Sequence, residues 1–174
     1  MASSTSDNGL PETGREPRTF ALASIAEQIA ATDELIGLAQ RRVRVFDQNL
    51  SQVGWNQQGR IERLAAFLRG TRGRRLDIIV HDTANIETAC PRLIALLRTY
   101  SEAVTIYRTG PEAKHATDPL VIVDDRHYLH RFHFKQPRAT MGIDRPEETR
   151  PLSLRYDEIW ATGEQGINAT VLGL

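Results

Sequence analysis

Apolar residues change their spacing several times along this chain, and each change marks an element. In "FALASIAEQIAATDELIGLAQ", Ile25, Ile29, Thr32, Ile36 and Ala39 recur at helical spacing. Ser24 and Glu27, three apart at the head of that run, fit a capping box in which the two residues satisfy each other's backbone donors. "RRVRVFD" follows, with Val43 and Val45 alternating against arginine, which predicts a strand ending at Asp47. After the loop "QNLSQVGWNQQ", Ile61, Leu64, Ala65 and Leu68 line one face of a second helix over 58–69. Asn56 suits its N-cap and Gly70 its C-terminal end. "RLDIIVHD" reads as the next strand, and its unbroken apolar run Ile78–Val80 predicts cover on both faces.

Beyond "HDTANIETA", Pro91 suits the first turn of a helix whose core face is Leu93, Leu96, Leu97 and Tyr100. "AVTIYRT" is a strand, "GPEAKHATD" a loop and "PLVIVDD" a strand. Asp124-Asp125-Arg126 reads as a tight turn into the strand "HYLHRFHF", and "RATMGID" as a further short strand. Pro151 then opens a helix with Leu152, Tyr156, Ile159 and Trp160 on one face, stopping at Gly163. The end, "INATVLGL", is apolar enough to pack back on the body. Early strand–helix alternation implies parallel strands, and the later adjacent strands imply an antiparallel part. The fold class predicted is α/β, a mixed parallel/antiparallel sheet flanked by helices.

Composition narrows the picture only modestly. The chain has 174 residues, 40% hydrophobic and 25% charged, ordinary values for one globular domain. Residues 1–18 lack apolar periodicity and read as a flexible tail, leaving 19–174 as the domain. The "LPETG" in that tail matches a sortase signal but lacks the apolar stretch and basic tail that such a signal needs. Twenty-two basic residues balance 22 acidic ones, so anion binding has to come from local clustering rather than overall charge. The single cysteine, Cys90, excludes an internal disulfide framework. No apolar run suits a membrane span and no secretory signal is evident, so a cytoplasmic protein is expected.

Candidate chemistry collects at strand ends, where sheets of this class bind ligands. Asp47, Asn56, His81 and Asp82 stand there, each with an ordinary alternative as a cap or turn residue. The stretch "DPLVIVDDRHYLHRFHFKQP" is more specific. If Arg126–Lys135 is extended, alternation places His127, Leu129, Arg131, His133 and Lys135 on one face. Arg131 and Lys135, helped by His133, then suit a phosphate, with carboxylates of the neighbouring helix as competing partners. The histidines lack the spacing of a metal set, and no cofactor motif is present. The basic run "RGTRGRR", with Arg69, Arg72, Arg74 and Arg75, suits either phosphate contact or a solvated loop that complements the helix dipole.

"LVIVDDRHYLHRFHFKQP" resembles the phospholipase D-like superfamily segment H-x-K-x4-D-x6-G-S-x2-N, and "RYDEIW" is similar to the way those domains close. The resemblance covers roughly residues 20–162. It is closer still to an uncharacterised proteobacterial domain that stands alone or follows an acetyltransferase domain. In the family a histidine attacks phosphorus, a second histidine protonates the leaving group, and lysine and asparagine hold the phosphate. On this motif Asp124 matches the aspartate, but Thr117 and Pro119 stand at the histidine and lysine positions. Arg131 and Phe132 replace Gly-Ser, and Lys135 replaces the asparagine. Threonine is no nucleophile at neutral pH without an activating base. The resemblance therefore implies a catalytically inactive domain that binds an anionic, phosphate-bearing ligand or a protein partner. Arg131, His133 and Lys135 would hold the anion, and Asp124 would orient a basic neighbour. Alanine at Arg131 and Lys135 is then predicted to weaken binding without unfolding the domain. The alternative is a divergent phosphodiesterase or nuclease using His127, His130 or His133. A homodimer is implied by analogy, and nucleic acid stays open as a ligand.

Overall fold

The computed structural model describes residues 15–170. The chain runs β1 (Arg18–Leu22), α1 (Ile25–Leu38), β2 (Arg42–Asp47), α2 (Gln58–Leu68), β3 (Arg75–Val80), α3 (Ala84–Ala89), α4 (Pro91–Thr99), β4 (Val104–Arg108), β5 (Leu120–Val123), β6 (His127–Arg131), β7 (Ala139–Ile143), α5 (Pro146–Ala161) and β8 (Glu164–Ile167). All eight strands form one sheet in the order β1-β7-β6-β5-β2-β3-β4-β8. β2, β3 and β4 are parallel and every other pairing is antiparallel. The mixed α/β class read from the alternation is the one observed.

The sheet is covered on both faces, as the apolar run in β3 requires. On one face Leu35, Ile36, Leu64, Phe67, Leu93 and Leu96 pack on Val43, Val45, Leu76 and Ile78. On the other, Tyr156 and Ile159 of α5 close over Phe46, Ile79, Leu120 and Ile122. Burial on both faces has a consequence for β2. Arg44 projects beneath α5 and is only 3% exposed. Its guanidinium donates to Asp157 Oδ1 at 3.1 Å and Ser153 Oγ at 3.1 Å, pairs with Asp125, and lies 5.5 Å from the Tyr156 ring centroid. A buried cation survives there because several acceptors replace its water.

Side-chain bonds to first-turn amides mark several helix starts. Ser24 Oγ accepts from Glu27 N at 3.2 Å, and the Glu27 carboxylate accepts from Ala23 N at 2.6 Å. Asn56 does not cap α2, whose N-cap is Gln57. Its Oδ1 accepts from Arg92 N at 3.0 Å instead, satisfying a first-turn amide of α4 next to Pro91. Gly70 does not end α2 through a left-handed turn; the C-cap is Arg69, with φ −71°. In "HDTANIETA", to which the sequence assigned no element, Asp82 Oδ1 takes Ala84 N at 2.8 Å at the start of α3.

Three further expectations change. The last helix begins at Pro146, with Glu147 and Glu148 in its first turn, and Pro151 lies inside it. Pro146 already supplies the preset φ of a helix start, so Pro151 only removes one amide from the next turn. β1 and β8, absent from the sequence reading, are short edge strands with mainly exposed or half-buried residues and little alternation to betray them. β6 stops at Arg131 rather than continuing to Lys135. The "LPETG" motif and the last four residues, 171–174, lie outside the described residues. No helix among the described residues is long and apolar enough to cross a membrane.

Candidate functional site

Strand direction decides which candidate residues can meet. β2, β3 and β4 end at Asp47, Val80 and Arg108, and β6, two antiparallel steps from β2, ends at the same edge with Arg131. The β5–β6 turn at Asp124–Arg126 therefore lies at the opposite edge. Four strand steps of ~3.3 Å put His127 about 13 Å from Arg131 along β6. Asp47, His81, His130, Arg131 and His133 gather at the carboxyl edge, with Asn56 and Asp82 in its outer loops. Asp124 and His127 do not join them.

Arg131 is the hub of this edge, but its donors face inward. It is 4% exposed. Nε donates to Gln136 O at 2.5 Å, Nη2 to Phe134 O at 2.6 Å and Nη1 to Gln52 Oε1 at 2.6 Å. The chain after β6 thus folds back over the guanidinium of β6's last residue, which is why the strand ends there. His133 and Lys135 sit on this return loop and share no strand face with Arg131. His133 Nδ1 accepts from Lys135 N at 3.1 Å, while the Lys135 side chain is exposed.

Under the loop, the rings of Phe46, His81 and Phe134 meet with centroids 5.3–6.0 Å apart. His81 Nε2 lies 2.7 Å from Ala116 O and Nδ1 lies 2.6 Å from Thr109 Oγ1. A carbonyl only accepts, so Nε2 carries the proton and Nδ1 takes the threonine hydroxyl. Burial pushes the imidazole down, keeping it neutral. His81 therefore fixes the loop around Ala116.

Asp47 is buried beside Arg131. Burial pushes its carboxyl from 3.8 up to about 6, against the opposing pull of Gln48 N–H and the arginine. The folded protein then holds a proton on Asp47 at pH values where the unfolded chain has released it. This carboxyl's contribution is most favourable below about pH 4 and is lost as pH rises through about 6. Asp47→Asn is expected to stabilise the protein by about 3 kcal/mol at pH 8 and by less than about 1 kcal/mol near pH 4, measured by urea unfolding at both pH values. An offset independent of pH would contradict a buried, ionising Asp47.

Asp118 links the loop to α5. Its Oδ2 lies 2.9 Å from His130 Nε2, and its Oδ1 is bonded by Arg155. Burial alone would raise this carboxyl, but the bonds from His130 and Arg155 together outweigh it and hold it below its usual range. Its neighbours Thr117 and Pro119 offer backbone only: Thr117 O accepts Phe134 N at 2.9 Å and Pro119 O accepts Arg131 N at 3.0 Å. Gln52, Asp118 and Arg155 were not legible as site residues. Only the position of Asp118 between Thr117 and Pro119 offered a signal for it.

At the opposite edge, Asp124 accepts from Gln40 N at 2.7 Å, Arg41 N at 2.8 Å and Arg42 N at 2.9 Å. The carboxylate fixes the backbone entering β2, rather than orienting a basic side chain near Arg131. His127 Nδ1 accepts from Asp144 N at 2.8 Å, and burial lowers the ring's basicity. Among the described residues, no group of three His, Cys, Asp or Glu stands where it could hold a metal.

Residues 24–172 match the family described as a domain of unknown function, DUF7931. No curated protein matches the chain. Among solved structures, Nuc from Salmonella typhimurium, a phospholipase D family member, is similar at 15% identity and TM-score 0.63, covering 87% of this chain and 99% of that one. NucT from Helicobacter pylori is similar at 14% identity and TM-score 0.60, covering 87% and 100%. TrmBL2, an archaeal chromatin protein, reaches TM-score 0.64 at 15% identity over 89% of this chain, which spans 56% of TrmBL2.

Proposed function

Because the chain belongs to the DUF7931 family and carries a phospholipase D-like fold, we propose that it is a non-hydrolytic domain that binds a phosphate-bearing anion at its carboxyl edge. The observation that carries this reading is the state of the residues at the reacting positions. Thr117 and Pro119 contribute only carbonyls to the loop, and Arg131 donates to Gln52 and two backbone oxygens. Among the described residues, nothing there combines a free nucleophile with a free buried cation.

The cations that face solvent are on the rim, where Lys114 Nζ donates to His81 O at 3.0 Å and keeps two further N–H donors. Lys114, His115 and Lys135 are exposed, and His130 and His133 are half-buried behind them. The Phe134 N to Thr117 O bond joins the two loops that carry them. Relative to the arrangement inferred from sequence, the anion moves outward, from Arg131 to Lys114, His115 and Lys135. The test is calorimetric titration of the wild type and a Lys114→Ala/Lys135→Ala variant with a short single-stranded oligonucleotide. About tenfold weaker binding in the variant is expected, since charge-assisted contacts to two phosphates are lost. Equal affinity would remove the rim as the site.

One contact favours a second reading, a divergent phosphodiesterase. His130 is paired to Asp118 as a general base is paired to an orienting carboxylate. Among the described residues, His127, at the other edge, and His133 have no hydrogen bond to a carboxylate; the Nδ1 of each accepts a backbone N–H.

A further inference from the structure

The amino edge of the parallel strands carries a second feature, independent of the rim. A cleft of about 530 Å³ opens between the loop before β2 and the loop before β3, lined by Gln40, Arg41, Thr71, Arg72, Gly73 and Arg74. We propose that this cleft binds a diphosphate group.

Charge is the first reason. Three arginines line the cleft and no acidic residue does. Arg41 and Arg72 are exposed, and among the described residues neither forms an ion pair. The carboxylate of Asp124 accepts the Gln40, Arg41 and Arg42 amides, and Asp77 is shared by Arg42 and Arg75. The surrounding field is therefore cationic. Guanidinium forks match pairs of phosphate oxygens.

Preorganisation is the second. Asp124 fixes one wall through its amides, and Arg75 N donates to Arg41 O at 3.1 Å, tying the two walls together. Arg74 is held over the Phe67 ring at 5.4 Å, with Nη1 donating to Phe67 O at 2.9 Å. Its Nε is buried without an acceptor among the described residues. Gly70 makes this placement possible. A Cβ built there would overlap the Arg74 guanidinium, which accounts for a glycine at a helix end that needs no left-handed turn.

The lining also selects the ligand class. The volume is that of a small-molecule site, but no aromatic or large apolar side chain lines it. Recognition thus falls on the phosphates, whether free pyrophosphate or the diphosphate of a nucleotide.

The test is isothermal titration of the full chain with inorganic pyrophosphate, orthophosphate and a nucleoside diphosphate. Pyrophosphate is expected to bind, orthophosphate more weakly, and the nucleoside diphosphate with an affinity close to that of pyrophosphate. Arg41→Ala/Arg72→Ala, whose sites are exposed, is expected to keep the wild-type unfolding midpoint and bind at least about tenfold more weakly. Gly70→Ala, which retains every charge but displaces Arg74, is expected to weaken binding several-fold. Lys114→Ala/Lys135→Ala is expected to retain the pyrophosphate binding that Arg41→Ala/Arg72→Ala loses. No pyrophosphate binding at millimolar concentration would overturn the proposal. So would wild-type affinity in the double arginine variant, or loss of binding in the rim variant.

Discussion

Replacing Arg131 with alanine is expected to lower the free energy of unfolding by about 3–5 kcal/mol, because several acceptors are left without their donor together. Three acceptors lose their donor at once: Phe134 O, Gln136 O and Gln52 Oε1. Each acceptor that stays buried and unpaired costs about 1–3 kcal/mol. Asp47, buried beside the arginine, also loses the cation that favours its ionised form. The loss is expected in denaturant unfolding at neutral pH, with the 132–138 loop becoming sensitive to protease first. Lys135→Ala, at an exposed side chain, is expected to stay within about 0.5 kcal/mol of the wild type. A drop below 1 kcal/mol for Arg131→Ala would mean that its guanidinium does not hold the loop. This expectation replaces the one drawn from sequence, in which alanine at both positions weakens binding and leaves the fold intact.

Asp124→Ala is expected to cost about 3 kcal/mol. The carboxylate satisfies three consecutive backbone donors at the entry to β2, the interior strand between β5 and β3, and each orphaned donor weighs on the folded state. Asp124 also has φ +53°, a conformation tolerated by aspartate and disfavoured by alanine. Asp124→Gly separates the two effects, because glycine removes the backbone strain while still losing the cap. Glycine is expected to recover less than 1 kcal/mol of the alanine loss. Near-complete recovery would assign the cost to the turn rather than to the three amides. On this account Asp124, which matches the aspartate of the phospholipase D-like motif, serves folding.

The sheet and its helical cover were legible because burial imposes periodicity. Val43 and Val45, Ile78–Val80 and the Leu93–Leu97 face show the period of the surface they meet. Edge strands β1 and β8 escaped because only one neighbour constrains each of them. The site was less legible for a different reason. Alternation continues past Arg131 in the sequence, yet the chain turns there because the arginine's own donors capture the carbonyls of 134 and 136. Period 2 cannot report a tertiary capture of that kind. Asp124 shows the same limit. Its sequence neighbourhood with Arg131 and Lys135 suggested one site, but a hairpin sends its turn and its open ends to opposite edges of a sheet. Asn56 was correctly seen as a capping residue and assigned to the wrong helix, since the amide it satisfies is 36 residues away.

The central claim is binding of phosphate without phosphodiester hydrolysis. Its most direct test is a turnover assay of the wild type and of His130→Ala with bis-(p-nitrophenyl) phosphate, at a protein concentration where a single turnover would be visible. Release of p-nitrophenol is expected to match the protein-free rate in both samples. Release above that rate in the wild type, abolished in His130→Ala, would contradict the account and identify the His130–Asp118 pair as working catalytic machinery.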